Sequence, residues 1–428
     1  MFDFIEGLTV WGVIPLMIFT GLFFTCGLRA IQIRGLAEGV GHLLDSKDAT
    51  KGSITNFEAV SAVLAGNLGT GNISGMAVAL SVGGPGSLFW MWIMVFLGMA
   101  IKYAECLLGV RFRHVNAEGE YVGGPMYYLA RMRYRILPFL FCLFTIGAAL
   151  TAGNLVQVNS LILPLQTSPF IDFGLGIVVA VAVALILIGG LQRIAHVVAT
   201  VVPVMTFLYL FAAILILALF ANKLPHALSL VFSEAWNLPS AGGAVAGWGM
   251  IQAMKAGFER GIFATDAGTG MSGILQSSAQ TKDAASEGLV GMVPPLVVLF
   301  VCTITTLVLL VTGAWQEPGL QSTNMCTWAF RCGLGHVAAP WLVIVSIVLF
   351  GVTTILAWAF CAEKAVEYLF GLKAIRWFNV FFIAFIPLGA IAEVKSVWML
   401  ADLFIALMVV TNLIGVLFNW KTVLEETP

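Results

Sequence analysis

Charge is what this sequence lacks: of 428 residues only 10% are Asp, Glu, Lys or Arg, while 60% are hydrophobic. Soluble domains carry roughly 25% charge, so most of this chain's surface is not made for water and lipid is the solvent it implies. A net charge of -1 leaves no basic field for nucleic acid. No G-x-x-x-x-G-K-[ST] run occurs, which argues against a phosphate-binding loop and against pumping driven by ATP. Neither H-E-x-x-H nor a G-x-S-x-G elbow is present and no nucleophile stands beside a base, so no enzymatic activity is expected. His42, His114, His196, His226 and His336 are scattered without metal spacing. The seven cysteines are odd in number and form no C-x-x-C pair, which excludes the usual zinc site and disulfide framework. Only Cys326 and Cys332 fall in one expected extramembrane loop, where a bridge is the minor alternative to two free thiols; most of the others read as inert apolar fillers. The first apolar run is preceded by Asp3 and Glu6 rather than a basic segment, and is expected to stay in the membrane rather than be removed.

What the sequence has is long apolar runs. A spanning helix needs about 20 apolar residues, because each backbone polar group must be satisfied within the segment. About eleven runs qualify: 9–28, 57–81, 86–110, 137–165, 173–191, 196–220, 243–277, 287–313, 340–370, 374–392 and 397–419. With the N-terminus placed outside, 16 of the 21 basic residues fall at inner ends, including the run Arg131, Arg133 and Arg135. Lys223, Arg331 and Lys395 fall outside, and Lys255 and Arg260 within the seventh run. That imbalance follows the positive-inside rule, supports the count and places the C-terminus in the cytoplasm.

Two runs carry polar residues and glycines where the bilayer midplane should lie. The second reads Gly66-Asn67-Leu68-Gly69-Thr70-Gly71-Asn72-Ile73-Ser74-Gly75, and the seventh reads Thr265-Asp266-Ala267-Gly268-Thr269-Gly270-Met271-Ser272. Each opens a block of five spans. Five is odd, so the blocks cross in opposite directions and form an inverted repeat. Glycine lets a helix unwind, and the freed amides and carbonyls then need partners that lipid cannot give. A half-helix beginning after a break presents its positive end to an anionic group, while unwound carbonyls suit a cation, as in transporters built on inverted repeats. Gly71 and Gly75 alone would equally serve close helix packing. Two matched breaks favour a transporter, and a zwitterion with Na+ or H+ suits them.

At these residues the sequence resembles the alanine or glycine:cation symporter family, also called sodium:alanine symporters. The resemblance runs through Gly69-Thr70-Gly71-Asn72-Ile73, Gly83-Gly84-Pro85-Gly86, Lys102-Tyr103-Ala104-Glu105, Gly123-Gly124-Pro125-Met126-Tyr127-Tyr128, Gly153-Asn154-Leu155-Val156-Gln157 and Arg260-Gly261-Ile262-Phe263, in family order over most of the chain. It implies an all-α polytopic membrane protein of LeuT-like fold, a 5+5 inverted repeat with one extra N-terminal helix. The blocks are then 1–56, 57–220, a connector at 221–242, 243–420 and a tail at 421–428. It also implies that Gly69, Thr70, Gly71 and Asn72 face the substrate carboxylate, that Gln157 reaches the same cavity, and that Thr265, Asp266 and Gly268 contribute from the second break. The cation is expected between the carbonyls of Ala65 and Leu68 and the hydroxyls of Thr353 and Thr354, an oxygen shell suited to a hard ion. Asn67, counted with the substrate residues, stands where the family commonly has threonine, and Thr265-Asp266 replaces an Asn-Glu pair.

Among single residues, Asp266 stands out, because an acid at midplane is costly unless it meets a cation, an ammonium group or a proton. Trp358 can close over the substrate side chain, while Asn154 and Asn159 read as partners of neighbouring helices. For Lys255, Glu259 and Arg260 a gate and an ordinary ion pair both stay open. The function expected is import of a small neutral amino acid, glycine or L- or D-alanine, by symport with Na+ or H+. Serine transport and a non-transporting channel are the alternatives. No cofactor is expected beyond the coupling cation, nor any partner beyond substrate and lipid, and the chain is expected to act as a monomer in a bacterial plasma or inner membrane.

Overall fold

Lipid forces each crossing segment to close its own backbone hydrogen bonds, and helices dominate the result. The structure is a computed structural model and describes residues 7–44, 52–165, 168–236, 247–336 and 339–427. Among these, nine continuous helices are long and apolar enough to span a bilayer: Thr9–Gly27, Ser87–Arg111, Ile136–Ile162, Pro169–Leu187, Gly190–Leu219, Ala284–Thr312, Ala339–Phe370, Leu372–Ile391 and Val394–Phe418. Two further crossings are interrupted, Asn56–Asn67 with Ser74–Gly83, and Gly247–Thr265 with Met271–Gln276. Nine and two make the eleven expected, and the interrupted ones are the second and seventh. Residues 243–246, where the seventh run was expected to begin, lie outside the described residues, as do Lys47 and Lys51.

The third span, Ser87–Arg111, is the most enclosed, packed by the first, seventh and eighth. The ninth, Ala339–Phe370, is wrapped by the second, fourth, sixth and tenth. The fifth and tenth spans lie against each other, and only about a quarter of their residues are buried. Asn154 and Asn159 on the fourth span donate across to the tenth, at 3.0 Å to the Phe382 carbonyl and at 2.9 Å to that of Ala392, as interhelical partners should.

One end of the bundle is knotted by a hairpin, His114–Val115 paired antiparallel with Tyr121–Val122. Ser53 N–H donates to the Ser278 carbonyl at 2.8 Å and Gln280 N–H to that of Ile54 at 2.8 Å, joining the near ends of the two interrupted spans. The Arg113 guanidinium donates to the Ser277 and Ala279 carbonyls and lies over the Tyr121 ring. Cys326 and Cys332 do not lie in a loop: both belong to the helix Ser322–Leu334, and both thiols are free. Six residues of regular helix put them nearly two turns apart, beyond the reach of a disulfide.

Candidate functional site

The first half of the second span starts on a capping box, with the Thr55 hydroxyl accepting the Glu58 N–H at 3.2 Å and the Glu58 carboxylate accepting the Thr55 N–H at 2.9 Å. It stops at Asn67 because Leu68 (ψ 61) and the extended Gly69 (ψ -170) leave helical geometry. After one tight turn at Thr70–Asn72 the helix resumes at Ser74. Gln157 secures the turn: its Oε1 accepts from Thr70 N–H at 3.1 Å and from the Thr70 hydroxyl at 3.0 Å. Its Nε2 donates to the Ala152 carbonyl at 2.9 Å, within a widened turn at Thr151–Leu155 of the kind that recurs at functional sites. Gly69 lies so close to its neighbours that a Cβ there would stand 2.9 Å from Thr354 Oγ1 and 3.1 Å from Gln157 Oε1. Thr354 donates to the Ala65 carbonyl at 2.6 Å. Asn72 Nδ2 folds back onto the Asn67 carbonyl at 2.6 Å, and two buried thiols donate to this turn, Cys302 to Asn72 Oδ1 and Cys326 to the Ile73 carbonyl.

The second break runs through positive φ at Asp266 (50°), Gly268 (85°) and Gly270 (80°) before Met271 restarts the helix. Aspartate is among the few side chains that tolerate the left-handed region, though surrounding structure must hold it there. The Thr265 hydroxyl turns back to the Gly261 carbonyl at 2.7 Å, and the Gly268 carbonyl accepts from Asn412 at 2.8 Å.

Between the breaks lies a small cavity of about 10 Å³ lined by Gly66, Asn67, Gly69, Gly71, Ala152, Gln157, Phe263, Asp266, Trp358 and Ile405. It therefore brings together six of the ten expected substrate residues: Asn67, Gly69, Gly71, Gln157, Asp266 and Trp358. The other four, Thr70, Asn72, Thr265 and Gly268, shape the two breaks around it. Asn67 Nδ2, Asn67 Oδ1 and Asp266 Oδ2 are buried and meet no hydrogen-bond partner among the described residues. Three unmatched polar atoms on one small cavity at membrane depth are costly, and a polar ligand is what would satisfy them. The cavity has room for about one water molecule, so a larger ligand needs the walls to part.

Phe263 and Ile405 also line a wider vestibule of about 380 Å³, with Lys255, Glu259, Trp398 and Asp402 among its walls. A Cβ on Gly71 would stand 2.7 Å from the Phe263 ring, so that ring roofs the cavity on the vestibule side. Behind it, Arg260 lies over Trp398 and pairs with Asp402 at 3.8 Å. Phe263 and Ile405 were missed in the sequence. For Phe263 the available signal was its place three residues before Asp266, hence on the same helix face.

At the expected cation site, Ala65 and Leu68 stand at the C-terminal end of the helix Asn56–Asn67, where carbonyls lack intrahelical partners and the dipole is negative. Thr354 adds its hydroxyl. The Thr353 hydroxyl instead donates to the Leu349 carbonyl at 2.9 Å, on its own helix, with Met205 of the sixth span beside it.

Comparison with known proteins agrees with this anatomy. A family model described as the sodium:alanine symporter family matches residues 1–428. An uncharacterized transporter of Haemophilus influenzae is 37% identical over 98% of this chain and 93% of its own length. The sodium/alanine symporter AgcS of Methanococcus maripaludis is 35% identical over 98% and 94%, and a probable sodium/glutamine symporter, GlnT, of Bacillus subtilis 31% over 96% and 86%. Among solved structures, a Na+-coupled sialic acid symporter covers 86% of this chain and 81% of its own at a TM-score of 0.54 and 14% identity. A manganese transporter of Eremococcus coleocola covers 86% and 77% at a TM-score of 0.55 and 13% identity. At such identities the likeness is one of fold, and it is the LeuT-like one.

Proposed function

This chain belongs to the sodium:alanine symporter family, and we propose that it imports a small neutral amino acid, alanine or glycine, together with a sodium ion. The observation that carries this reading is the set of unmatched atoms of Asn67 and Asp266, two residues that line the small cavity between the breaks. The Asp266 carboxylate receives the substrate ammonium. The substrate carboxylate lies against the turn of the first break at Gly69 and Gly71, with the Asn67 amide beside it. Sodium sits at the neighbouring helix end, held by the carbonyls of Ala65 and Leu68 and the Thr354 hydroxyl. Oxygen-only donors of this kind suit a hard cation better than a soft one.

Trp358 and Phe263 set the size limit. Trp358 packs against the backbone of Gly153, and Phe263 lies on Gly71 between the cavity and the vestibule. A hydrogen or methyl side chain asks the least displacement of them. A longer one meets the rings, which separates this reading from the glutamine named for one relative. Entry is from the vestibule, past Phe263, at the end of the bundle opposite the hairpin. With the N-terminus outside, that vestibule opens to the exterior, the direction import requires.

Uptake of labelled glycine, L-alanine, D-alanine, serine and glutamine into proteoliposomes, under sodium and proton gradients imposed separately, tests this. An inward sodium gradient should concentrate alanine or glycine and leave glutamine outside. Accumulation under a proton gradient alone would reassign the ion, and accumulation under neither would end the symport reading.

A further inference from the structure

The third span buries two opposite charges completely, Lys102 and Glu105. They are three residues apart, on one face of a helix in the middle of the bundle, where ionisable side chains are rare and mark function. Neither lines the cavity. Both reach the far side of the second break, Glu105 through Oε1 while its Oε2 is buried without a hydrogen-bond partner among the described residues. Glu105 Oε1 accepts the Gly270 N–H at 3.0 Å and the Asn412 Nδ2 at 2.6 Å. The same Asn412 amide donates to the Gly268 carbonyl at 2.8 Å, and its Oδ1 accepts from the Tyr128 hydroxyl. Lys102 donates to the hydroxyl of Ser272, in the first turn of the resumed helix.

These bonds fall where the backbone has left helical geometry. From Asp266 to Gly270 three residues hold positive φ, and the segment's own ties are short-range: Asp266 N–H to the Ile262 carbonyl at 2.8 Å, Thr269 N–H and hydroxyl to the Asp266 carbonyl at 3.2 and 2.7 Å, Ala267 N–H to the Thr265 hydroxyl at 3.4 Å and Met271 N–H to the Thr269 hydroxyl at 3.2 Å. A residue such as Asp266 keeps that conformation only where the surroundings over-determine it. A carboxylate oxygen taking two donors is a charge-assisted anchor, stronger than a neutral acceptor in the same place.

We propose that Glu105 is a positioning residue of transport: with Asn412 it fixes the backbone at Gly268 and Gly270, and so the direction in which Asp266 presents its carboxylate to the cavity. This rests on the reading of that cavity as the amino-acid site. It predicts a split that general structural support would not produce. The amino acid meets the second break, while sodium is held by the first break and the ninth span, which this network does not touch.

The experiment uses purified full-length chain, titrated with sodium chloride alone and then with L-alanine at saturating sodium, binding being read from thermal unfolding. In Glu105→Ala the half-saturating alanine concentration should rise about tenfold or more, the worth of one buried hydrogen bond, with sodium within about twofold of wild type. Glu105→Gln keeps an oxygen for Gly270 and Asn412 and should recover alanine binding to within about threefold. Equal losses for both ligands in Glu105→Ala, wild-type alanine binding in that variant, or a Glu105→Gln variant as impaired as Glu105→Ala would each overturn the assignment. Should Glu105→Ala not fold, Asn412→Ala must show the same split, and its absence counts equally against the proposal. A wild-type chain that responds to sodium but not to alanine, glycine or serine would instead remove the cavity reading, and this inference with it.

Discussion

Asp266→Asn should abolish uptake and at the same time make the ligand-free protein more stable. The two effects share one cause. Asp266 Oδ2 is buried without a hydrogen-bond partner, and a carboxylate held out of water without compensation costs several kcal/mol. Asparagine keeps the shape, tolerates the positive φ and removes the charge. The unfolding temperature of the sodium-free, substrate-free chain should therefore rise by a few degrees, at roughly 2–4 °C per kcal/mol for a chain of 150–250 residues and less for a larger one. Uptake loses the counter-charge of the ammonium group, and removing one partner of a buried charge pair costs about 2–5 kcal/mol, a fall of at least about thirtyfold. Stabilisation bought with lost function is the signature of a site residue. A variant less stable than wild type, or one that transports normally, would show that Asp266 serves the fold.

The second large effect has the opposite sign on stability. Gln157→Ala deletes the acceptor that takes both the N–H and the hydroxyl of Thr70, and it frees the Ala152 carbonyl. A buried backbone N–H left without a partner costs about 1–3 kcal/mol, so this chain should unfold at a lower temperature than wild type. Uptake should fall by about tenfold or more at subsaturating substrate, because the turn that receives the carboxylate is no longer held. Parallel melting and uptake measurements on Gln157→Ala and Asp266→Asn thus separate two kinds of site residue. One shapes the first break and stabilises it. The other supplies charge, and the fold tolerates it at a cost. Equal behaviour of the two variants would contradict that division.

Much of this was legible in the sequence because lipid leaves few options. The length of the apolar runs dictated eleven crossings, and glycines beside polar residues at Gly69 and Gly268 located the two interruptions. Rotation about a helix axis was not legible. Thr353 and Thr354 are neighbours, yet they face about 100° apart on a helix of 3.6 residues per turn, and only Thr354 meets the first break. Sequence spacing carries no absolute angle, so both hydroxyls had an equal claim.

Helix ends were misplaced where apolar residues run through a turn. The fifth span was expected at 173–191 and lies at Pro169–Leu187, starting on a proline suited to the first turn and ending before Gly190 at φ 68°. Lys102 was grouped with the inner basic residues, since a charge at the end of an apolar run reads as interfacial. Its partner Ser272 is 170 positions away, and no local pattern announces a bond of that kind. The same holds for Glu105 and Asn412, 307 positions apart.

The account stands on backbone and side-chain groups left unmatched between two interrupted helices until an amino acid completes them. A structure of the purified chain determined with L-alanine and sodium reads this directly. The ligand's ammonium should lie within hydrogen-bond distance of Asp266 Oδ2 and its carboxylate against Gly69, Gly71 and the Asn67 amide, with a cation at the Ala65 carbonyl and the Thr354 hydroxyl. Alanine bound only in the vestibule above Phe263, or helices running unbroken through Gly69 and Gly268, would contradict it.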